Sequence, residues 1–459
     1  MRPAGLAFQA AVVDASGDWA GAASDFSHRI LHVHPDFGDV IQPFFPPLMV
    51  DGSADEAFAA LVQRLAGVFS SFLARIFERD GIEPTLAALG YRPDERALLA
   101  EYCTAPWLAQ AGALLRFDFL CVQEGLKAVE LNAAPGIGGI GLIEGYDEAF
   151  AASDYRAWME SQGFDVSSIH PLDHAAALIR RLVGAGRHGA ALRDGCEVHV
   201  ALVTMPSDLA YLQTQVCARY LQRPGLRVTV ASVFDLQIDE AGVRIGGQPV
   251  QLVWAVHAFE AEIIHAALRA QASALRRAAA EGVVAYLVPP GASVLGNKAL
   301  FSLLLGEPGH SLLAPEDRSL IDHTLPWTAI VRQDNIDRLV LEQHSMVLKP
   351  ARGVSGQGML FGPQVGPVAW RLGLERIIAS GVVYVAQRLC HSVACDVPPG
   401  SFETGQVKLV LGGICVGGRY AGHFVRALAA HSSKPINVSF GGRMAPCYVL
   451  RKSAQPGRS

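Results

Sequence analysis

Apolar side chains recur at helical spacing from residue 55 to 79, and helix-compatible sequence returns over 93–113. The first 113 residues are therefore expected to be mainly helical beyond an irregular start. At residue 114 the period changes. The stretch LLRFDFLCVQEGLKAVELN, 114–132, reads as two short strands around a glycine-containing turn, and a glycine-rich segment follows at 135–145. Helical stretches near 146–160 and 171–185 lead to a boundary at GAGRHGAALRDG. Strand (197–204), helix (207–222) and strand (227–233) then make an α/β rhythm. A hairpin at 236–254, a long helix over 258–280 and the strand VVAYLV at 283–288 extend this lobe to a stop at Pro289. From 291 the pattern gives a helix starting near Asn297, the strand SMVLKP, a glycine-rich loop at 353–358, a helix near 366–379 and the strand VVYVAQRL. The last part, 404–450, is strand-like, and KSAQPGRS reads as a frayed tail. The expected units are 1–113, 114–190, 191–290, 291–395 and 396–459.

Composition narrows the function classes. At 459 residues, 51% hydrophobic and 18% charged, the chain is too long for one small module and too apolar for a disordered one. Its 38 lysines and arginines against 43 acidic residues give a net charge of -5. That balance points to neither a nucleic-acid partner nor an acidic membrane surface, so phosphate binding has to be local. The first residues carry one arginine and too short an apolar run for a signal peptide. No later apolar run approaches the ~18 residues of a span, so a cytoplasmic chain without membrane contact is expected. Eight scattered cysteines without a C-x-x-C pair read as reduced core residues.

Candidate chemistry concentrates in the 114–132 hairpin. With a three-residue loop at Gln123, Glu124 and Gly125, Val122 pairs with Leu126, which sets Asp118 opposite Glu130 and Arg116 opposite Asn132. Those four side chains then share one face, with Phe117, Phe119, Val129 and Leu131 behind it. Two carboxylates and an amide oxygen suit a hard divalent cation, and the arginine suits an anion beside it. The competing reading is a charged outer face in which Arg116 only pairs with Asp118. A two-residue loop would split the set across both faces.

Further along, Lys349 ends an apolar strand, and Gly353, Gly356 and Gly358 would let backbone N–H groups approach phosphate oxygens. An ordinary glycine-rich hairpin would look the same. Lys298 is a second cation able to neutralise a triphosphate, or a surface lysine. The strand at 382–389 could present its backbone to an adenine edge, with Gln387 offering a donor and an acceptor, or be a plain core strand. Lys408 and Arg426 sit in strand-like segments, and Arg426 follows an apolar run where a charge needs a partner or a cleft. Gly136, Gly138 and Gly141 satisfy G-x-G-x-x-G, but Gly145 is expected to interrupt the helix a dinucleotide fold requires. His32 and His34 lack a third ligand with convincing spacing.

Taken in order, RFDF (116–119), LKAVELNAAP (126–135), GNK (296–298), VLKPARGVSGQG (347–358), YVAQRL (384–389) and the strands ending in Arg426 resemble the synthetase domain of glutathionylspermidine synthases. The resemblance implies an α/β (α+β) ATP-grasp fold in permuted order, metal ligands preceding nucleotide lysines, with a Rossmann-like pre-ATP-grasp lobe. It implies Asp118, Glu130 and Asn132 as Mg²⁺ ligands and Lys298 and Lys349 on the ATP phosphates. Gly353, Ser355, Gly356, Gln357 and Gly358 would form a lid, with Gln387 in the adenine segment and Arg116 stabilising developing charge. Arg426 joins Arg116 as a candidate catalytic residue. The implied activity is an ADP-forming ligase that joins a small-molecule carboxylate to an amine through an acyl phosphate, with self-association left open. A small-molecule kinase or a nucleotide-binding regulator are the alternatives. Where that family carries a further acidic residue just after its E-x-N segment, this chain has Ala134. The acceptor site is expected to differ, and neither glutathione nor spermidine is carried over.

Overall fold

The computed structural model describes residues 26, 28–30, 42–133, 137–186, 197–205, 210–257, 259–353, 356–397, 402 and 405–452. His32, His34, Gly136, Ser355, most of the 184–195 boundary and the tail from 453 lie outside the described residues.

Two short strands, β1 (Gln42–Pro43) and β2 (Leu48–Asp51), lead into the long helix α1 (Gly52–Asp80). Asp51 caps α1 by accepting from Ser53 N at 2.8 Å, and Gly81 ends it with φ 87°. Phe58, Val62, Leu65, Phe69, Phe72 and Ile76 repeat every three or four residues and are buried as one stripe. By length and composition α1 could cross a membrane, but that stripe packs on the sheet described below, with Phe58 5.2 Å from Phe119 and Phe69 5.4 Å from Phe117 between ring centroids. Helices α2 (Ile82–Ala88), α3 (Pro93–Tyr102) and α4 (Ala105–Ala111) complete the expected helical start.

The hairpin follows as β3 (Leu114–Val122) and β4 (Gly125–Asn132). After it come α5 (Ile140–Ala151), α6 (Asp154–Ser161), β5 (Phe164–Ser167) and α7 (Pro171–Ala185). Contrary to expectation, Gly145 does not interrupt the helix: α5 runs through both Gly141 and Gly145. A Cβ on Gly141 would lie 2.9 Å from Val216 Cγ1 and 3.2 Å from Cys217 N, so this glycine permits close helix packing. The dinucleotide reading fails for a different reason, because the strand before these glycines belongs to an antiparallel hairpin.

The next lobe holds β6 (Val198–Thr204), α8 (Ala210–Leu221), β7 (Leu226–Ser232), β8 (Leu236–Asp239), β9 (Gly242–Ile245), β10 (Gln248–Val250), β11 (Leu252–Ala255), α9 (Phe259–Ile264), α10 (Ala266–Ala280) and β12 (Ala285–Leu287). Strands β12, β11, β6 and β7 form, in that order, a wholly parallel sheet. The expected hairpin at 236–254 is instead a three-stranded meander, β8 to β10, plus β11 in the parallel sheet. The long helix is two helices, since His265 leaves helical geometry at φ -111° and ψ 102°.

A third unit comprises helices α11 (Ala299–Leu305), α12 (Glu307–Leu312) and α13 (Pro315–Thr324), then β13 (Thr328–Ile330), α14 (Ile336–Leu341), β14 (Met346–Pro350), β15 (Leu360–Phe361), α15 (Pro367–Ser380) and β16 (Tyr384–Arg388). Its four strands are antiparallel in the order β13, β16, β14, β15, with Trp370 and Leu374 of α15 in the core beneath. The chain then returns through β17 (Ala394–Asp396), β18 (Gln406–Val416), β19 (Arg419–Ala429) and β20 (Arg443–Lys452). These complete a nine-stranded sheet in which β1, β20, β19, β18, β3 and β4 are successive neighbours, β17 pairs with β18, and β2 and β5 pair with β20.

Beneath this sheet Asp55 of α1 accepts from Tyr420 OH at 2.7 Å, and Tyr420 also meets His423 Nδ1. Burial pushes His423 down to about 3, so it is neutral at physiological pH and behaves as a core residue. Gly413 is required where α1 crosses β18, because a Cβ there would stand 2.6 Å from Val62 Cγ2 and 3.0 Å from Phe58 Cζ. Gly413→Ala is expected to destabilise the chain by about 1–3 kcal/mol. Gly67→Ala, on an exposed turn of α1 with nothing within 4 Å, is expected to stabilise it by up to about 1 kcal/mol. Urea denaturation of the two variants reads both signs.

Candidate active site

The hairpin turn has two residues, because Val122 pairs with Gly125 and Cys121 with Leu126. Uninterrupted, that register would put Asp118 and Glu130 on opposite faces. A β-bulge corrects it: Phe119 pairs with Ala128 but Asp118 pairs with Glu130, leaving Val129 as the extra residue. Arg116 then pairs with Asn132, so the expected four-residue face exists through a different local device.

Arg116 and Asp118 are buried and Glu130 and Asn132 half-buried, so the face is not a solvated outer one, although Arg116 does pair with Asp118. Arg116 donates to Asp118 Oδ1 from Nε at 2.9 Å and to Oδ2 from Nη2 at 3.2 Å, and its Nη1 reaches Gly138 O at 2.8 Å. Arg426, arriving on β19, places Nη2 2.6 Å from Asp118 Oδ2. Asn132 Nδ2 also donates to Asp118 Oδ2, at 3.0 Å. Burial alone pushes the Asp118 carboxyl up, but the two guanidinium groups more than offset it and hold the group at about 2. The Phe424 ring supports both arginines, lying 5.2 Å from the Arg116 guanidinium and 5.9 Å from that of Arg426.

The two predicted lysines reach the same place from the third unit. Lys298 Nζ lies 2.8 Å from Glu130 Oε1 and 3.1 Å from Gly353 O. Its backbone is braced by Asn297, whose side chain accepts from Ala299 N at 2.9 Å and donates to Leu89 O at 3.0 Å. Lys349 Nζ donates to Gln387 Oε1 at 2.7 Å and to the carbonyl of the bulged Val129 at 3.3 Å. Burial pushes this ammonium down to about 8, with Lys298 adding to the shift and Glu130 opposing it. Gln387 is buried and donates onward to Thr328 Oγ1 at 3.1 Å. Its oxygen thus holds Lys349 and its amide nitrogen Thr328, while the side chain still lines the cavity described below.

Between the nine-stranded and four-stranded sheets lies a cavity of about 370 Å³. Asp118, Glu130, Lys298, Lys349, Gly353, Gly356, Gln357, Gln387 and Arg426 line it. Its walls include Leu120 and Val410 on one side and Val347, Phe361 and Leu389 on the other, a slot suited to a flat apolar ring. Lys298, Lys349, Arg388, Lys408, Arg426 and Lys434 line it against two carboxylates, so the cavity carries the positive excess the whole chain lacks. Gly358 has φ 72° and sits under Tyr384 and Pro350, where a Cβ would meet Pro350 Cγ at 3.0 Å.

The sequence reading missed the far wall at 433–437 and the Cys390–Ser392 stretch, which also line the cavity. Lys408 donates to Ser432 O, and Gln364 Nε2 to Ser433 O at 2.9 Å, so this wall is tied to both sheets. Its only sequence signal was a proline and an asparagine between strand runs. Among the described residues no three His, Cys, Asp or Glu side chains gather as a metal site. Two carboxylates and an amide are nevertheless a hard-cation set, and the Asn132 amide nitrogen is committed to Asp118, leaving its oxygen as the donor. These residues fit magnesium.

No protein-family model matches the chain, and no curated protein does. Among solved structures it is similar to a glutathione synthetase-like effector from Globodera pallida in apo form, at 12% identity and a TM-score of 0.52, covering 95% of this chain and 99% of that one. D-cycloserine synthetase is matched at 15% identity over 56% of this chain and 76% of that one, with a TM-score of 0.30. The first likeness concerns the fold alone, which is synthetase-like.

Among the described residues Asp118 is the one carboxylate paired with both arginines, so Asp118→Asn leaves two buried positive charges without their counter-ion. A loss of about 3 kcal/mol or more at neutral pH is expected. The native carboxyl is held below its unfolded value, so its stabilisation is present above roughly pH 4 and disappears as pH falls through about 2. Acid denaturation should therefore be steeper in the parent than in Asp118→Asn over that window.

Proposed function

We propose that the chain is an ATP- and Mg²⁺-dependent ligase that joins a carboxylate to an amine, releasing ADP and phosphate. The observation that carries this reading is the convergence of Asp118 and Glu130 with Lys298, Lys349 and Arg426 in one cavity between two sheets, with Asn132 bonded to Asp118 behind its lining. The chain order, with the acidic hairpin before both lysines, supports a permuted ATP-grasp arrangement. The four-stranded unit with its glycine-rich segment fits the role of a nucleotide lid.

In this reading the apolar slot takes the adenine, and Lys298 and Lys349 hold the phosphates by charge. Asp118, Glu130 and Asn132 would hold magnesium, which would supply positive charge to neutralise the phosphates. Arg116 and Arg426 are oriented before any substrate arrives, because Asp118 and Phe424 fix both guanidinium groups. Such preorganised donors favour the charge that develops when a substrate carboxylate attacks the γ-phosphate and when an amine attacks the acyl phosphate. Gly353, Gly356 and Gln357 line the cavity, and the role of their segment in this reading is to keep water from the acyl phosphate.

A screen of small carboxylic acids and amines with ATP tests the activity, read by ADP formation and product mass. ADP release should require both an acid and an amine. Release with one acceptor alone and a phosphorylated product would identify a kinase, and binding without turnover would identify a regulator. Arg426→Met is expected to lower turnover by on the order of 10²–10³-fold. Nucleotide affinity should fall as pH rises through about 8, where Lys349 loses its charge, by at most about tenfold per pH unit. Lys349→Arg should flatten that limb, and an unchanged slope would remove Lys349 from the phosphate site.

A further inference from the structure

Lys298 has two places it can serve, and one of them, beside Glu130, is a place that a metal needs. Its ammonium stands 2.8 Å from Glu130 Oε1, while the other carboxylate of the set, Asp118, is held by Arg116 and Arg426. Lys349 is buried nearby and carries no carboxylate of its own, bonding instead to Gln387 and the Val129 carbonyl. A bare divalent cation approaching this set meets two carboxylates already neutralised by three cations, with Lys349 as a further positive charge. It would have to displace an ion pair and endure net repulsion. A polyphosphate changes the sign of that balance. It supplies anionic oxygens to Lys298, which sits at the start of α11 on a flexible stem and also touches the first glycine of the lid segment.

We infer that Lys298 is an electrostatic latch: it occupies Glu130 until nucleotide phosphate draws it away, so that metal binding depends on nucleotide. This rests on the nucleotide reading above and deepens it, since it states how the same site is regulated. Lys298 acts here as a positioning residue through Glu130. The latch keeps Glu130 paired until nucleotide arrives, and it makes the lysine's transfer and the carboxylate's release one event. The backbone need not move, because Lys298 N remains bonded to Ala351 O at 2.9 Å.

Binding of Mn²⁺ to the full-length chain, followed by the electron paramagnetic resonance signal of the free ion, tests this without turnover. In the parent, Mn²⁺ alone should bind at least about tenfold more weakly than in the presence of the β,γ-imido analogue of ATP. Lys298→Gln should raise nucleotide-free Mn²⁺ affinity by about tenfold. Lys349→Gln removes a neighbouring charge that is not paired with Glu130 and should raise it several-fold less. Circular dichroism and a thermal melt establish that each variant is folded. Should Lys298→Gln fail to fold, Lys298→Arg, which keeps a cation beside Glu130, should retain the nucleotide requirement. Equal Mn²⁺ affinity with and without the analogue in the parent would overturn the latch while leaving the nucleotide reading intact. So would a Lys298→Gln variant no better than the parent at binding Mn²⁺ alone, or a Lys298→Arg variant that has lost the requirement. Absence of binding by the analogue itself, measured calorimetrically, would overturn both.

Discussion

The buried carboxylate of Asp118, held between two guanidinium groups from different strands, is the constraint on which the rest of the site depends. Arg116 is its neighbour two residues away on the same strand, but Arg426 comes from β19, on the far side of β18. The pair can form only if β18 carries almost nothing at the crossing. Gly412 lies directly opposite Asp118 and opposite Phe424, and a Cβ there would stand 2.8 Å from the Phe424 ring. With no side chain at 412 the ring can occupy that space, and both arginines lie over it. One glycine, one aromatic ring and three charged groups thus form a single unit, and none keeps its position without the others.

The second constraint is the bulge at Val129. It moves Glu130 and Asn132 to the face of Asp118, and its carbonyl is the acceptor that Lys349 reaches from the other sheet. A defect in one ladder therefore also forms a contact across the cavity. Gln387 completes the attachment from the opposite side, and because Thr328 accepts from its amide, the oxygen faces Lys349. Lys349 is held by neutral groups, which is why burial lowers it to about 8 while Lys298, beside a carboxylate, stays in an ion pair.

How much of this was legible in the sequence follows from the range of each interaction. Alternation over 114–132 announced two strands, and period-two spacing named the residues of the working face. The turn length was not legible, because Gln123-Glu124-Gly125 suits two-residue and three-residue loops alike, and nothing at Val129 marks a bulge. Gly145 was misread because an isolated helical glycine looks like a stop until a neighbouring helix is known to press on the same helix at Gly141. Arg426 was legible only as a charge needing a partner. The partner lies 308 positions earlier, and no local pattern carries that separation. Gln387 shows the same limit: its chemistry was legible as donor and acceptor, but its contacts with Lys349 and Thr328 are set by strand pairings visible only in three dimensions.

Net charge illustrates the same division between whole and part. The chain is acidic overall, so the cation-rich cavity had to be assembled from residues scattered between 298 and 434. Lobes that come together only in the folded chain concentrate charge in a way composition cannot report. Such a cavity is costly to leave empty, because like charges in a low-dielectric space repel. The structure reduces that cost by pairing two of the cations, Arg426 and Lys298, with Asp118 and Glu130 and by neutralising Lys349 part of the time near pH 8. The remaining excess favours an anion of high charge that arrives with its own counter-ion. A polyphosphate carrying a divalent metal has that character, whereas a metal alone or a singly charged acid does not. On the proposed reading, the electrostatics of the cavity thus favour the nucleotide as the first ligand, an argument independent of any likeness of fold.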